Sequence, residues 1–513
     1  MLTALLVASL SAVTIISGAA RSVRAAAPVP ASSRSVTVHV TLNRVGPPVA
    51  PGFVGFSIEY QAIEPYIGSD PHAINPVLVQ LIRDVTPDQS PVLRIGGNSA
   101  DQTWSPLPGV QASPGIEYTL KRSWLAELRA LATETGGRLI LDLNLKLDSP
   151  AEVSAEAHAF QTGIGRKLID AFEIGNEPEL YPITPYYYTE PGNVPVYPRP
   201  ATYTLPDYIQ EMSSLSKLVH GTALAGPATG TFIWMSRLKQ LLAAEPALKI
   251  ITYHSYPLIK CFTQPGDAKY PTIPNLLERS SSRDLLQGAG RFIQFAHRHG
   301  ATFRVDELNS VACKGQAGVS DTFASALWMT DTLFAMARSG VDGVNIHTLP
   351  EANYHPFTFE RFHGRWLAEV KPEYYGILLF TEAAPPGSRL LAVTTTPDPD
   401  IRARATLTPA GQFNVVLIND SLTTSKVVRI APPAGVARSA LIERLQAPSA
   451  AATGGVTLAG QTFGAQTGTG TLKGQFRPGH VEPAHGQYVV QLPASSAALV
   501  SFPPTSPTKT KGP

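Results

Sequence analysis

Residues 169–179 read Ile-Asp-Ala-Phe-Glu-Ile-Gly-Asn-Glu-Pro-Glu, a short apolar run that ends in a polar Asn-Glu-Pro-Glu stretch. A run of this length, bounded by Gly and Pro, predicts a buried β-strand followed by a loop. Seven similar runs occur along the chain, so eight strands are predicted. They are Phe53–Glu59, Pro91–Gly96, Arg138–Leu145, Ile169–Gly175, Ala223–Pro227, Lys249–His254, Thr302–Glu307 and Gly343–Thr348.

Amphipathic stretches that predict helices lie between these strands, at Leu120–Thr133, Leu205–Val219, Leu285–His299 and Thr322–Arg338. Strands that alternate with helices over residues 53–385 predict an α/β fold, a (β/α)8 TIM barrel. A doubly wound open sheet is the alternative. Its nucleotide-binding signature, G-x-G-x-x-G after a first strand, is absent from the sequence at that place, which favours the barrel.

The two ends of the chain predict a second domain. Residues 386–503 contain short alternating runs separated by turn residues, which is typical of an antiparallel β-sandwich. Residues 35–42 alternate in the same way, so we expect the N-terminal segment, residues 28–52, to contribute a strand to this C-terminal domain. The proline-rich tail, residues 504–513, is predicted to be disordered.

The N-terminus predicts export. Leu2–Ala20 is apolar and is followed by a tract of small residues, which predicts a signal peptide over residues 1–27 and a secreted or extracytoplasmic protein. An uncleaved membrane anchor is the alternative, because the usual positive residues before the apolar stretch are missing.

Composition excludes several classes of protein. The 513 residues include 41 Lys+Arg and 39 Asp+Glu, a net charge of +2, which offers no basic face for nucleic acid. With 43% hydrophobic residues the chain can fold around a core. The 2 cysteines exclude a four-cysteine zinc site and leave one possible disulfide. No His/Cys/Asp cluster has ligand spacing, so neither a metal nor another cofactor is expected.

Two glutamates stand where a barrel carries its catalytic groups. Glu177 follows the fourth predicted strand and Glu307 ends the seventh, and catalytic side chains lie at the C-terminal ends of barrel strands. Strands four and seven face each other across the barrel mouth, so these carboxylates form the pair that a retaining glycosidase needs. Taken singly, each glutamate is equally well explained as an ordinary loop carboxylate.

The neighbouring acids have different expected directions. Glu173 shares strand parity with Glu177 and is expected to point inward one layer deeper, whereas Glu179 is expected to face solvent. Asp306 is expected to point away from Glu307 and to make a structural hydrogen bond.

Several motifs make the sequence similar to glycoside hydrolase family 79, the β-glucuronidase and heparanase family of clan A. The resemblance covers roughly residues 35–500. The matching motifs are Leu93–Asn98, Ile174–Leu180, Tyr203–Tyr208, His254–Tyr256, Asp306–Ser310 and Ala352–His355.

This resemblance implies a role for each matching residue. Glu177 would be the acid/base and Glu307 the nucleophile, while Asn176 would hold the sugar 2-hydroxyl. Glu59 and Asn98 would contact other sugar hydroxyls in the same subsite. Tyr256 would hydrogen-bond the nucleophile and lower its pKa, and Tyr354 would contact the glucuronate carboxylate. Packed aromatics are the alternative for both tyrosines, and His254 is expected to be a barrel histidine with its hydrogen bonds satisfied rather than a proton carrier.

The loop after the nucleophile departs from the family pattern. Many members carry a Ser-Ala-Tyr-Gly-Gly-like loop, where this chain has Ser310–Gln316 with a Cys-Lys-Gly sequence. Lys314 would supply a point charge for the carboxylate or remain solvated. Cys261 and Cys313 follow strands six and seven, so adjacent loops would bring them close and predict a disulfide in an exported protein, with two unrelated thiols as the alternative.

The leading hypothesis is a secreted, cofactor-free, retaining exo-β-glucuronidase with a carbohydrate substrate. The alternatives are another clan A glycosidase, such as an arabinofuranosidase or glucanase, a heparanase-like endo-β-glucuronidase, or a non-catalytic carbohydrate-binding protein.

Overall fold

Eight parallel strands close into a barrel in the computed structural model, which describes residues 35–219, 221–434 and 439–504. The strands pair in chain order and the eighth returns to the first. Most of their residues are buried on both faces, as expected of strands enclosed by helices. The eight barrel strands are Val54–Glu59, Val92–Gly96, Arg138–Leu143, Ile169–Ile174, Ala223–Thr229, Leu248–Ser255, Thr302–Leu308 and Gly343–Thr348.

Helices surround the barrel, and their ends follow from the local sequence. Asn75 caps the helix that begins at Pro76, because its side chain accepts from the backbone N–H groups of Val77 and Leu78. Thr204 and Asp207 form a capping box at the start of the helix that begins at Leu205. The α-helices are Ile63–Ile67, Pro76–Val85, Arg122–Thr135, Pro150–Phe160, Leu205–Leu215, Leu238–Ala244, Ile273–Leu277, Gly290–Arg298, Phe323–Ser339 and Pro372–Ala383.

One predicted helix is shorter than expected. The prediction placed its start at Leu285, but regular helix begins only at Gly290. Gly288 has a φ of +89°, outside the helical region, so residues before it form successive turns instead. None of the helices in the described parts of the chain is long and apolar enough to cross a membrane.

A second, mostly antiparallel sheet of ten strands forms the other domain. The fold class is confirmed, but the two layers of the expected sandwich belong to one continuous sheet that curls on itself. The strands in spatial order are Thr457–Leu458, Ala440–Gln446, Ser496–Phe502, Phe413–Asn419, Ile401–Leu407, Arg389–Thr395, Val36–Arg44, Lys426–Ala431 and Tyr488–Leu492, with Gly479–Val481 paired to Ala440–Gln446.

The N-terminal strand lies inside this sheet. Val36–Arg44 pairs antiparallel with Arg389–Thr395 and parallel with Lys426–Ala431. The predicted signal peptide lies outside the described residues, and so does the predicted tail apart from Pro504.

The curled sheet has two apolar faces, as strand alternation requires. Along Phe413–Asn419, Val415 and Leu417 pack into the interior of the curled sheet. Val416 and Ile418 face the other way and join the large core of the barrel and its helices. The barrel and the curled sheet therefore share a continuous apolar interface.

Four two-stranded sheets lie outside the barrel and the curled sheet in the described residues. They are Thr103–Trp104 with Tyr118–Thr119, Tyr187–Thr189 with Val194–Val196, Leu258–Ile259 with Val311–Ala312, and Phe357–Phe362 with Arg365–Val370.

Candidate active site

A cavity of about 810 Å³ opens at the C-terminal end of the barrel strands. Glu177 and Glu307 both line it, as do Glu59, Asn98 and Tyr354. Further lining residues include Tyr256, His254, His347 and Lys314. Asn176 is buried directly behind Asn98, and its side-chain nitrogen lies 3.4 Å from the amide oxygen of Asn98. The structure thus brings the predicted site residues to one end of the barrel.

The two glutamates approach each other across His254. One carboxylate oxygen of each, together with a nitrogen of His254, lies within 4.8 Å of the others. His254 Nδ1 is 3.1 Å from Glu177 Oε1 and 3.8 Å from Glu307 Oε2. Its Nε2 atom has no hydrogen-bond partner among the described residues. Within the described residues, His254 thus has a hydrogen-bond partner on one ring nitrogen, and it stands between the two candidate catalytic groups.

Glu307 is surrounded by donors and positive charge. It accepts from Arg94 at 2.7 Å and from Tyr256 at 2.7 Å, and His347 Nδ1 lies 2.8 Å away. Burial acts to raise the pKa of Glu307, but His347, His254 and Arg94 outweigh it and hold that pKa well below its usual range. The predicted hydrogen bond from Tyr256 to Glu307 is present. The main groups that lower the pKa of Glu307 are, however, the two imidazoles and Arg94 rather than Tyr256.

His347 gains a proton in this arrangement. Burial acts to lower the pKa of His347, but Glu307 and Glu59 outweigh it and raise that pKa to about 9. The protonated imidazole can then donate to Glu307 while it lies 3.6 Å from Glu59. The sequence motifs did not identify His347, although an ionisable side chain inside a barrel strand signals a buried partner.

Arg94 connects the floor of the site and was also missed as a functional residue. It is fully buried in the second barrel strand and donates to Glu173, Asp142, Asn176, Ser57 and Glu307, with donor–acceptor distances of 2.7–3.2 Å. A buried guanidinium is tolerated only when carboxylates surround it, and its fork fixes several acceptors at once. Arg94 therefore holds the nucleophile candidate and Asn176 in a fixed relation.

The contact with Arg94 also orients the Asn176 amide. Because a guanidinium only donates, Asn176 must present its oxygen to Arg94, at 2.8 Å. Its NH₂ group consequently points towards Asn98 on the cavity side. A donor in this position suits a sugar hydroxyl.

Asp306 points inward together with Glu307, which corrects the expectation that it faces the opposite way. The pairing register of the seventh strand shifts around these residues, between Val305 and Leu308, so strict alternation is broken. Asp306 Oδ2 lies 3.7 Å from Arg94 Nε, and the Asp306 carboxyl group is buried against that of Glu173. Burial and the neighbouring Glu173 raise the pKa of Asp306 well above its usual range.

Glu179 does not face open solvent as expected. Its Oε1 accepts from the Thr231 backbone N–H at 3.0 Å, and its Oε2 is buried without a hydrogen-bond partner in the described residues. Burial, reinforced by nearby Glu177, raises the pKa of Glu179 to about 8. Glu173 points inward and is fully buried against Arg94.

Glu59 holds a loop as well as lining the cavity. Its carboxylate accepts from the backbone N–H groups of Asn98 and Ser99, at 3.2 and 2.8 Å, and from the Ser99 hydroxyl. These bonds occupy much of its hydrogen-bonding capacity. Glu59 thus positions Asn98 in addition to any contact with a ligand.

The loops after strands six and seven are joined covalently. Cys261 and Cys313 form the predicted disulfide, with Cα atoms 6.0 Å apart. Lys314 and Gly315 follow with φ of +64° and +75°, and a Cβ at Gly315 would lie 3.0 Å from the Tyr354 backbone nitrogen. Only glycine allows this close approach, which brings Lys314 and Tyr354 to one wall of the cavity.

Two sets of side chains have the proximity that a cation site needs. In each set one carboxylate already accepts a hydrogen bond from Arg94, and the positive charge of Arg94 offsets the negative charge of that carboxylate. The expectation that the chemistry needs no metal stays a prediction. The sets are Glu177, His254 and Glu307, and Glu173, His254 and Asp306.

Comparison with known proteins shows what this chain is similar to. Residues 406–499 match the sequence profile of the "Glycosyl hydrolase family 79 C-terminal beta domain". A β-glucuronidase from Aspergillus niger is 24% identical and aligns over 92% of this chain and 94% of its own length. A β-glucuronidase from Neurospora crassa is 23% identical over 71% of this chain and 68% of its own.

The chain is a glycoside hydrolase whose C-terminal β-domain is of the family 79 type.

Solved structures agree on the fold of this hydrolase. A 4-O-α-L-rhamnosyl-β-D-glucuronidase from Fusarium oxysporum, crystallised with Rha-GlcA, superposes with a TM-score of 0.67 at 19% identity, covering 91% of this chain and 100% of that one. A family 51 arabinofuranosidase from Xanthomonas axonopodis gives a TM-score of 0.63 at 14% identity, covering 91% and 99%. At such identities the likeness establishes the barrel-plus-sheet architecture alone.

Proposed function

We propose that the chain hydrolyses β-D-glucuronides with retention of anomeric configuration, with Glu177 as acid/base and Glu307 as nucleophile. The observation that carries the proposal is the carboxylate pair, whose nearest oxygens lie within 4.8 Å. Retaining glycosidases separate their carboxyl groups by about 5–5.5 Å, and inverting enzymes by about 6.5–9.5 Å to admit a water. An approach this close between nearest oxygens favours the shorter of the two spacings, and so a double displacement.

In the first step, a Glu307 oxygen bonds to the anomeric carbon as the glycosidic C–O bond breaks, and Glu177 gives its proton to the leaving oxygen. In the second step, Glu177 takes a proton from water, the water oxygen bonds to the anomeric carbon, and Glu307 leaves. The products are glucuronic acid and the free alcohol or phenol, and both carboxyl groups return to their initial states.

The environments of the two glutamates support this division of roles. Glu307 has only 8% of its side chain exposed and a lowered pKa, so it is ionised and ready to attack. Glu177 has 24% of its side chain exposed and lies beside the loops after strands four and five. It can therefore meet both the leaving oxygen and the incoming water.

The proposal of glucuronate rests on one wall of the cavity. Lys314 and Tyr354 offer an ammonium group and a hydroxyl there, and both suit a carboxylate. Among the described residues that line the cavity, Lys314 is the single Lys or Arg. A single lysine and no arginine favour one terminal glucuronate over a long sulfated chain, which supports exo action. The names of the two fungal relatives support the same sugar.

The test is hydrolysis of an aryl β-D-glucuronide beside the matching β-D-glucoside and α-L-arabinofuranoside, with the released anomer followed by NMR. We expect the glucuronide to be preferred and the β anomer to appear first. Preference for the arabinofuranoside would contradict the sugar, and initial α anomer would contradict the mechanism.

Lys314→Met separates sugar recognition from chemistry. Loss of a charge-assisted contact should raise KM for the glucuronide about tenfold and leave the glucoside unaffected. Lys260→Met is the matched control, since Lys260 is exposed on the neighbouring loop.

We also propose that the protein works outside the cytoplasm, with residues 1–27 as its export signal. The disulfide between Cys261 and Cys313 supports this, because such bonds persist in oxidising compartments.

A further inference from the structure

The two sides of the cavity mouth differ in chemistry. The loops after barrel strands one and two contribute polar side chains, among them Gln61, Gln102 and Tyr118. These are hydrogen-bonded within their own side, for example from Gln102 to Glu117 at 2.6 Å and from Tyr118 to Gln61. This side of the mouth suits hydroxyl-rich ligands.

The loops after strands four and six contribute apolar side chains instead. Leu180, Ile259 and Phe262 line the cavity there, and we call these three residues the apolar rim. Phe262 is 87% exposed, and next to the rim Ile183 and Ile233 are 70% and 71% exposed. Single exposed apolar residues are common, but several on the loops of three adjacent strands indicate a surface that contacts a ligand.

Phe262 is held in this exposed position by its neighbours. Cys261 beside it is bonded to Cys313 on the loop after strand seven. On the other side, the Thr263 hydroxyl donates to the Ile259 carbonyl, and the Gln264 N–H donates to Asp267 at 2.8 Å. The ring therefore stands at the cavity edge on a braced loop.

The candidate acid/base lies on the side of the apolar rim. Glu177 lies on the loop after the fourth strand, three residues before Leu180, and a Cβ at Gly230 on the loop after strand five would lie 2.6 Å from its Oε1. A general acid must sit within hydrogen-bond reach of the atom that it protonates. The leaving oxygen, and the group attached to it, must therefore lie towards these loops.

We propose that the apolar rim binds the leaving group and selects substrates in which that group is an apolar ring system, aromatic or alicyclic, rather than a second sugar. This inference rests on the proposed function, because it uses Glu177 as the proton donor. Phe262 would be the specificity-determining residue, with its ring stacked against the leaving group.

The test compares two glucuronides that share the sugar and differ in the leaving group. For 2-naphthyl β-D-glucuronide, Phe262→Ala should lower kcat/KM roughly twofold to tenfold, the range that one aromatic contact gives. For β-D-glucuronyl fluoride, which has no ring to stack, the same variant should match the wild type. Phe262→Trp should restore the naphthyl value. Phe362→Ala, an exposed phenylalanine of the strand pair Phe357–Phe362 and Arg365–Val370, is the matched control and should change neither value.

Equal losses on both substrates, or no loss on either, would overturn the proposal. So would a Phe262→Ala protein whose oligomeric state changes in sedimentation while its naphthyl kinetics do not, since the rim would then be an interface between copies of the chain. If the wild type hydrolyses neither glucuronide, the proposed sugar has failed. The naphthyl and fluoride derivatives of the sugar that it does hydrolyse then decide the role of the rim in the same way.

Discussion

Glu307 and Arg94 illustrate how single residues make the site work. A buried carboxylate is costly to ionise, yet Glu307 receives donors from Arg94, Tyr256 and His347 and keeps its charge. The same guanidinium orients Asn176, so the proposed nucleophile and the proposed hydroxyl donor are fixed by one side chain. Such a preorganised arrangement stabilises charge without reorganisation during the reaction.

The roles of Glu177 and Glu307 predict different losses on substitution. Glu177→Ala should lose about 10²- to 10⁴-fold on an alkyl glucuronide, which needs protonation of its leaving oxygen, but keep a fast first step on an activated aryl glucuronide. Added azide should then give a β-glycosyl azide. Glu307→Ala should be inactive on both substrates, and any azide product should be α. The opposite pairing of anomers in NMR would reverse the assignment.

His347 predicts a pH dependence. Its pKa of about 9 in the folded state lies above the ordinary value, so its stabilising contribution is complete below pH 6.5 and is lost as pH rises through about 9. Between these values the wild type should lose up to about 3 kcal/mol of unfolding free energy that His347→Asn does not lose.

The same variant should shift the acid limb of kcat/KM to higher pH, because Glu307 loses a cation that keeps it ionised. Urea unfolding at several pH values and a pH–rate profile check the two effects. Parallel stability curves for the two proteins would contradict the role given to His347.

The strands of the two sheets show how far the sequence alone predicts this fold. All eight predicted barrel strands overlap observed strands, because short apolar runs bounded by turn residues carry a local signal. The curling of the second sheet was not predictable, since its strand order depends on long-range pairing. The inward turn of Asp306 was missed for a similar reason: a register shift leaves no trace in residue periodicity.

Site residues that belong to recognisable motifs could be predicted from the sequence. Contacts between residues that are far apart in sequence could not. Glu177, Glu307 and Tyr256 were found through strand ends and motifs. Arg94 and Glu307 are 213 residues apart in sequence, so their contact appears only in the folded barrel. His347 was missed in the same way.

The N-terminal strand predicts a stability contrast within one element. Val38 is fully buried in the core of the curled sheet, whereas Leu42 on the same strand is exposed. Val38→Ala should lower the unfolding free energy by about 2 kcal/mol. Leu42→Ala, the matched control, should change it by less than about 0.5 kcal/mol. Urea denaturation measures both, and equal effects would mean that the strand does not belong to the sheet.

At the scale of the whole molecule, the disulfide ties two loops that are far apart in sequence. Cys261 and Cys313 are separated by 52 residues, and closing a loop of this size stabilises a fold by about 4 kcal/mol in the chain-entropy treatment. The double variant Cys261→Ala, Cys313→Ala should therefore unfold at lower temperature than the wild type. Reductant should lower the unfolding temperature of the wild type alone. An equal response in both proteins would contradict a structural disulfide.

The barrel and the curled sheet also act as one unit. Arg402 and Arg404 in the sheet approach Asp331 on the helix Phe323–Ser339, at 4.0 and 2.7 Å. Together with the shared apolar core, these contacts fix the sheet against the barrel helices. The sheet thereby supports the barrel that positions the two carboxylates for which we propose catalytic roles.

The most direct measurement is the site of covalent labelling by 2-deoxy-2-fluoro-β-D-glucuronyl fluoride. The fluorine slows both steps, but the good leaving group lets the first proceed, so a glycosyl–enzyme intermediate accumulates. Peptide mass spectrometry of the labelled protein should find one fluoroglucuronyl group, attached to Glu307. A label on Glu177 or on another residue, or an enzyme that turns over β-glucuronides without any covalent intermediate, would contradict the account.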